Sequence, residues 1–300
     1  MSAAVLQAAN RRGILCMVGA MVAFVTNDAL IKYASQSMPA AQLIFIRGVM
    51  ATLLVAGVAH GMGVAGQWRV VLTRRVAARA GVDAFASVLY LSSLFHLPLA
   101  NATAINLAAP LFMIVFAVVF LREEVGIARW LAIATGFLGV LLIIQPRAEG
   151  FNLYALVCLA GTLCHATRDL MTRGIAHSVP SILITLSTAL AVTVLAGLIS
   201  IFQGWRPFGV FQFALLAAAS VFLGAGYHML INSMRSGEMS LIAPFRYSGL
   251  LFALVVGYLV WRDVPNLIGF TGIVLLIGSG LYVLRSERAR QRAALDATQD

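Results

Sequence analysis

The sequence predicts an all-α polytopic membrane protein with ten transmembrane helices, arranged as two inverted five-helix repeats. Three observations carry that prediction. Apolar runs of roughly 20 residues recur from end to end, each long enough to cross a hydrocarbon core about 30 Å thick. The 300 residues are 61% hydrophobic and only 11% charged, with a mean hydropathy of +0.94; a soluble domain carries about 25% charged residues. The third is an internal match at a spacing of 141 residues, set out below.

No water in a bilayer core satisfies backbone groups, so a spanning chain is either helical or a closed barrel. Barrel strands alternate polar and apolar residues over about 10 positions, and these runs do not alternate. The spans fall at 12–33, 41–60, 76–96, 99–120, 127–145, 152–175, 181–203, 210–233, 239–261 and 266–285. The first follows Arg11 and Arg12 but is longer than the apolar core of a signal peptide and contains Asp28, so no cleavage is expected. The third and fourth are separated only at Pro98, which forbids one continuous regular helix. Gly57 and Gly61 permit close helix contact, within one fold as readily as between two, so the sequence is compatible with a monomer.

Orientation follows from the basic residues. With the N-terminus inside, the cytoplasmic segments hold fourteen Lys and Arg residues, among them Arg69, Arg74, Arg75, Arg79, Arg122, Arg173 and Arg235. The outer segments hold four, Lys32, Arg147, Arg206 and Arg262, while Arg47, Arg168 and Arg246 lie within spans. This bias places both termini in the cytoplasm. The net charge of +10 therefore points to a membrane surface and not to nucleic acid, and the basic tail "RSERARQRAALDATQD" reads as an anchor on anionic lipid. Cys16, Cys158 and Cys164 all fall in spans without metal-ligand spacing. No cofactor or metal is expected.

Charge is buried twice in one pattern, in "FVTNDALIKY" (24–33) and "CHATRDLMTR" (164–173). Placing Asp28 on Asp169 also sets Thr26 on Thr167, Lys32 on Arg173 and Pro39 on Pro180, without a gap. "LREEV" (121–125) meets "WRDV" (261–264) one residue closer. The expected units are 1–148, 149–288 and a tail of 289–300. An odd number of spans per repeat makes the second copy enter the membrane from the opposite side, an architecture of secondary transporters whose sites lie between the halves.

Two five-helix halves, a basic inner loop after the second span and "LAAPLFMIVFAVVFLREE" (107–124) resemble the EamA type of the drug/metabolite transporter superfamily. The second copy, "IAPFRYSGLLFALVVGYLVWRD" (242–263), has its proline further from its acid than the first, and Asp263 in place of Glu. Within the superfamily, "APFRYSGLLFALVVGYL" is most similar to amino-acid exporters of the YddG type. The resemblance implies a carrier for amino acids, including aromatic ones, in a bacterial inner membrane, or an efflux carrier for drugs or other small metabolites.

Ionisable groups within spans are costly and face protein or water. Asp28 and Lys32 stand one turn apart at the outer mouth, Asp169 and Arg173 at the inner mouth, with Arg168 pointing elsewhere. Each pair reads as a gate or as a packing ion pair. Asp83, Ser87 and Tyr90 form one polar stripe on the third span; Thr103 and Asn106 precede Pro110 on the fourth. His165 lies one turn from Asp169, and His228 one turn from Asn232. In "PFRYS", Arg246 is read as a buried cation at the midplane with no acid within a turn, offering a planar fork to a substrate carboxylate beside Tyr247. Tyr90 and Tyr227, with Phe24, are candidates for an apolar wall.

A nucleotide-driven pump is excluded because a phosphate loop needs a glycine-flanked lysine, and the single lysine is Lys32 within a span. No HExxH and no serine with a partnered base point to an intramembrane enzyme. A receptor or channel is the remaining class, and inverted duplication favours a carrier over either.

Overall fold

The computed structural model describes residues 3–121, 126–145, 152–176, 178–236 and 242–296. Arg122, Glu123, Glu124 and Arg147 lie outside the described residues, as do the side chains of Arg173 and Arg235. The described chain is helical throughout, with no strand among the described residues.

Each predicted span has a helix in its place. The helices are α1 (Ala3–Ala34), α2 (Ala40–Gly61), α3 (Arg74–Leu94), α4 (Leu99–Asn106), α5 (Ala109–Leu121), α6 (Ile127–Ile144), α7 (Tyr154–Arg173), α8 (Ser181–Gln203), α9 (Val210–Ser236), α10 (Ser248–Trp261) and α11 (Leu267–Asp296). Short 3₁₀ helices cover Ala65–Leu72 and Ala243–Tyr247. Six segments are long and apolar enough to cross a membrane: Ala8–Ala34, Ala40–Gly61, Leu99–Phe116, Ser181–Gln203, Val210–Leu230 and Pro244–Trp261. Trp130–Ile144 and Leu267–Val283 are shorter apolar helices. The helices α3 and α7 qualify as neither, because Arg74, Arg75, Arg79 and Asp83 dilute one, and Arg168, Asp169 and Arg173 the other.

Proline sets the breaks. Pro98 stands at the start of α4 after a turn that ends α3 at Leu94. The fourth predicted span is two helices: the chain turns at Leu107 and Ala108 before Pro110, which has no N–H for the carbonyl one turn back. The ninth likewise opens as a 3₁₀ turn, with Pro244 near its start, before α10 begins.

Packing follows one rule in both halves. The most extensive pairs are α1 with α9, α3 with α7, α2 with α8, α6 with α11, α3 with α8, α2 with α9, α1 with α10, and α4 with α10; α4 and α5 both meet α7. Exchanging each helix for its counterpart in the other half leaves this set of pairs unchanged. Thr52 Oγ1 lies 3.3 Å from Thr193 Oγ1, and these residues are 141 apart, the spacing of the internal repeat. A residue in contact with its own counterpart sits where the halves meet.

Some charged and polar side chains lie inside while large apolar ones face outward. Asn27, Lys32, Arg47 and Asp83 are buried, while Leu53 is 69% and Phe202 90% exposed. On α3, Asp83 and Tyr90 turn inward and Phe85 outward. One apolar core running through both halves joins Ile31, Leu43, Leu94 and Leu99 to Leu216, Leu250 and Leu276. Helices approach most closely at small residues: a Cβ on Gly139 would stand 2.6 Å from the Gly272 carbonyl oxygen. Gly224, Gly226 and Gly249 pack on Leu54, Phe24 and Met21. A Cβ on Gly57 or Gly61 would meet nothing among the described residues, so neither glycine serves a close helix contact there.

Candidate functional site

Two polar networks stand out, the first joining the two halves and the second built on residues of the first half. The first centres on Asp83 of α3. Its Oδ1 accepts from Arg168 NH1 at 2.7 Å, and its Oδ2 is 3.1 Å from Arg79 NH1. Thr188 of α8 donates to Oδ2 at 3.0 Å, and Arg79 donates in turn to Thr172 Oγ1 at 3.1 Å and to Thr188 Oγ1. Arg168 also holds Asp169, with NH2 at 2.8 Å from Oδ1. Two guanidinium groups and two carboxylates thus tie α3, α7 and α8 together. Buried charge survives in such a place only when each ion is paired and hydrogen-bonded.

This geometry corrects three expectations. Arg168 does not point away from Asp169; it is bonded to it. His165 does not pair with Asp169: its Nδ1 lies 2.9 Å from Asn106 Oδ1, across to α4. Arg79, read as a cytoplasmic loop charge, is part of the network, and the signal that would have found it is its one-turn spacing from Asp83. Thr188 left no such signal, because an isolated threonine in an apolar run most often bonds its own helix.

The second network centres on Asp28 of α1. Tyr90 of α3 donates to its Oδ2 at 2.9 Å, and Asn27 Nδ2 to its Oδ1 at 2.9 Å. Arg47 of α2 reaches Asn27 Oδ1 at 3.4 Å, and its buried Nε has no hydrogen-bond partner among the described residues. Tyr90 also packs at a ring separation of 6.1 Å from His165. Tyr227 of α9 stands edge-on to Phe24 at 5.2 Å, and its hydroxyl lies within electrostatic range of both networks. The stripe Asp83, Ser87, Tyr90 therefore divides, with Asp83 serving the first network and Tyr90 the second. Ser87 has no hydrogen-bond partner among the described residues.

Asp28 and Lys32 do not form the expected helical pair. Lys32 Nζ donates to the carbonyl oxygens of Leu94 (2.9 Å) and Leu97, and lies 5.4 Å from the Trp261 ring. The end of α3 exposes those carbonyls, and a buried ammonium satisfies them. Beside it opens a cavity of about 530 Å³, lined by Lys32, Ser35, Gln36, His96, Trp261 and Asp263 among others.

Arg246 is not buried. It projects from the 3₁₀ turn as an exposed side chain, with no hydrogen-bond or ion-pair partner among the described residues, and its charge reaches His165. The turn explains the exposure: Tyr247 takes the inward position, against Gly280 of α11. His228 and Asn232 are bonded to each other at 2.9 Å, with His228 exposed, away from both networks. No group of three or more potential metal ligands occurs among the described residues.

The EamA-like transporter family matches this chain twice, over residues 11–145 and 152–285. The chain belongs to the EamA-like transporter family. The two matched segments meet the two halves whose helices pack as counterparts. Among relatives in this family, the chain is 27% identical to the pseudopaline exporter CntI of Pseudomonas aeruginosa, over 93% of this chain and 98% of that one. It is 27% identical to a riboflavin transporter of Rhizobium johnstonii, over 93% of each. Against an S-adenosylmethionine uptake transporter of Rickettsia conorii the identity is 26%, over 64% of this chain and 65% of that one. A chain of known crystal structure superposes with a TM-score of 0.64 at 18% identity, covering 93% of this chain and 98% of that chain, which supports the fold. These relatives are named transporters and not enzymes, and they carry different small molecules. The resemblance to YddG-type amino-acid exporters accordingly resolves to the EamA-like family as a whole. The chain is a multi-pass membrane transporter of that family.

Proposed function

We propose that this EamA-like protein is a secondary carrier in a bacterial inner membrane, working by alternating access, that exports amino acids or closely related carboxylate-bearing metabolites. It crosses the membrane ten times, in two inverted halves (1–148 and 149–288) followed by a cytoplasmic tail (289–300), with both termini in the cytoplasm. The observation that carries the reading is Arg246: an exposed guanidinium with no partner among the described residues, in electrostatic range of His165 between the halves. A guanidinium matches a carboxylate through two parallel hydrogen bonds. Tyr90, Tyr227 and Phe24 supply an apolar wall for a side chain, with Asn106 and Thr103 as polar contacts. Lys32 on the Leu94 and Leu97 carbonyls closes the outer mouth, and the Asp83, Arg168 and Asp169 cluster, with Arg173 one turn on, closes the inner one.

The named cargoes of the relatives favour a second reading, a carrier for a larger metabolite. Counterflow in proteoliposomes separates the two: vesicles are loaded with a mixed amino-acid pool, and uptake of labelled amino acids, riboflavin and S-adenosylmethionine is followed. Selective exchange of amino acids supports the first reading. Exchange confined to the larger compounds replaces it with the second.

A further inference from the structure

The internal repeat supplies its own control experiment on buried charge. At a spacing of 141, Asp28 corresponds to Asp169, Asn27 to Arg168, Arg47 to Thr188, Arg79 to Ser220 and Asp83 to Gly224. Contacts correspond as well. Asn27 donates to Asp28 at 2.9 Å as Arg168 donates to Asp169 at 2.9 Å, and Ser220 meets Arg47 as Arg79 meets Thr188. The same scaffold is thus occupied by different chemistry in the two halves. Around Asp169 the neighbouring donor is a guanidinium, itself shared with Asp83; around Asp28 it is a neutral amide.

The consequence is a difference in what protonation breaks. A proton on Asp83 breaks ion pairs at 2.7 and 3.1 Å and takes from Arg79 the anion bonded to it, while a proton on Asp169 breaks its pair with Arg168 at 2.8 Å. A proton on Asp28 breaks none: among the described residues its hydrogen bonds come from Tyr90 and Asn27 alone, and it makes no ion pair. Asp28 is also only partly buried within the fold. The hydroxyl of Tyr90, donor to the carboxylate, can rotate to accept from the carboxylic acid. The groups facing Asp28 are Arg47 from α2, whose charge acts on it without contact, Asn27 on its own helix, and Tyr90 from α3. Tyr227 from α9 faces Arg47. Among the described residues, the other titratable groups on elements packed against α1 make no hydrogen bond or ion pair with Asp28; these are His228 on α9, Arg246 and Tyr247 on the 3₁₀ turn, and Tyr258 on α10.

We propose that Asp28 is a proton-exchange site: its carboxylate takes up one proton and releases it in each transport cycle, while Asp83 stays a structural anion between Arg79 and Arg168. The step is an acid–base exchange with water, the carboxylate gaining and losing one proton without a change of redox state. Coupling of that exchange to solute movement rests on the carrier reading above.

Infrared difference spectroscopy of the purified full-length protein during acidification tests the site without any substrate. The expected result is a carboxylic-acid C=O band that is absent in Asp28→Asn, suppressed in Asn27→Arg, and retained in Asp169→Asn. Asn27→Arg installs beside Asp28 the guanidinium that the second copy carries, so it decides the question should Asp28→Asn fold poorly. A band unchanged in both Asp28 and Asn27 variants overturns the proposal. Coupling is read separately, with a labelled amino-acid mixture in proteoliposomes under an imposed pH gradient. One exchanged proton sets up to about tenfold accumulation per pH unit, and Asn27→Arg loses it. Wild-type exchange indifferent to the gradient overturns coupling at Asp28 and leaves the carrier reading intact. No exchange of any amino acid overturns the amino-acid reading and leaves Asp28 to the infrared result.

Discussion

At the scale of single residues, the clearest separation is between cations that the fold uses and Arg246, which has no hydrogen-bond or ion-pair partner among the described residues. Arg79 and Arg168 are both committed to Asp83, so Asp83→Ala leaves two partly buried guanidinium groups each short of one anion. Removing one partner of a buried pair costs about 3–5 kcal/mol; the expected outcome is a sharply lower melting temperature and folded yield. Arg246 is bonded to nothing among the described residues, so Arg246→Ala should fold normally and abolish transport of carboxylate-bearing solutes. Normal counterflow by that variant would remove Arg246 from the binding site. Arg246→Lys keeps the charge but loses the planar fork, and weakened rather than absent transport is expected. These roles were half legible in sequence: an ionisable residue in an apolar run announces itself, but its partner does not. Local spacing offered Lys32 to Asp28, whereas the folded chain gives Lys32 to the carbonyls of Leu94 and Leu97, 62 and 65 residues away.

At the scale of elements, the helices were legible because a bilayer restricts the options to long apolar runs, and prolines mark where such runs break. The predicted 181–203 coincides with α8, and 127–145 with α6 to within a residue. The interruption between α4 and α5 was not foreseen as a break, since Pro110 alone is compatible with a kinked continuous helix. Helix contacts are set by glycine where backbones touch. On α6, a side chain at Gly139 would strike the backbone of α11, which cannot yield as a side-chain tip would. Gly139→Leu should therefore cost about 1–3 kcal/mol from overpacking, read as a lower melting temperature, while Gly57→Leu, with open space around it, should cost little. Equal losses in the two variants would contradict the α6–α11 packing.

At the scale of the whole molecule, the duplication makes predictions that no single helix makes. If Thr52 and Thr193 meet where the halves join, Thr52→Cys with Thr193→Cys should cross-link readily in a background lacking Cys16, Cys158 and Cys164. The cross-linked product is expected to migrate differently from either single variant; two freely reactive thiols would argue against that junction. Reporter fusions to the two termini should both report the cytoplasm, as the excess of basic residues in alternate segments predicts; opposite sides would rule out an even number of crossings.

The sequence by itself determined that this is a helical membrane protein, where its helices lie, that it is written twice, and which family scaffold it resembles. Each of these follows from properties that act locally or repeat along the chain: apolar length, proline, and residue spacing. Only the tertiary structure decided that Asp28 rests on Tyr90 and Asn27 while Asp169 is bound to Arg168, that Arg79 and Thr188 complete the network of Asp83, and that Arg246 stands exposed. The reason is physical. A buried charge must find compensation somewhere, but the partners come from helices separated by as many as 109 residues, and no short-range rule selects among them.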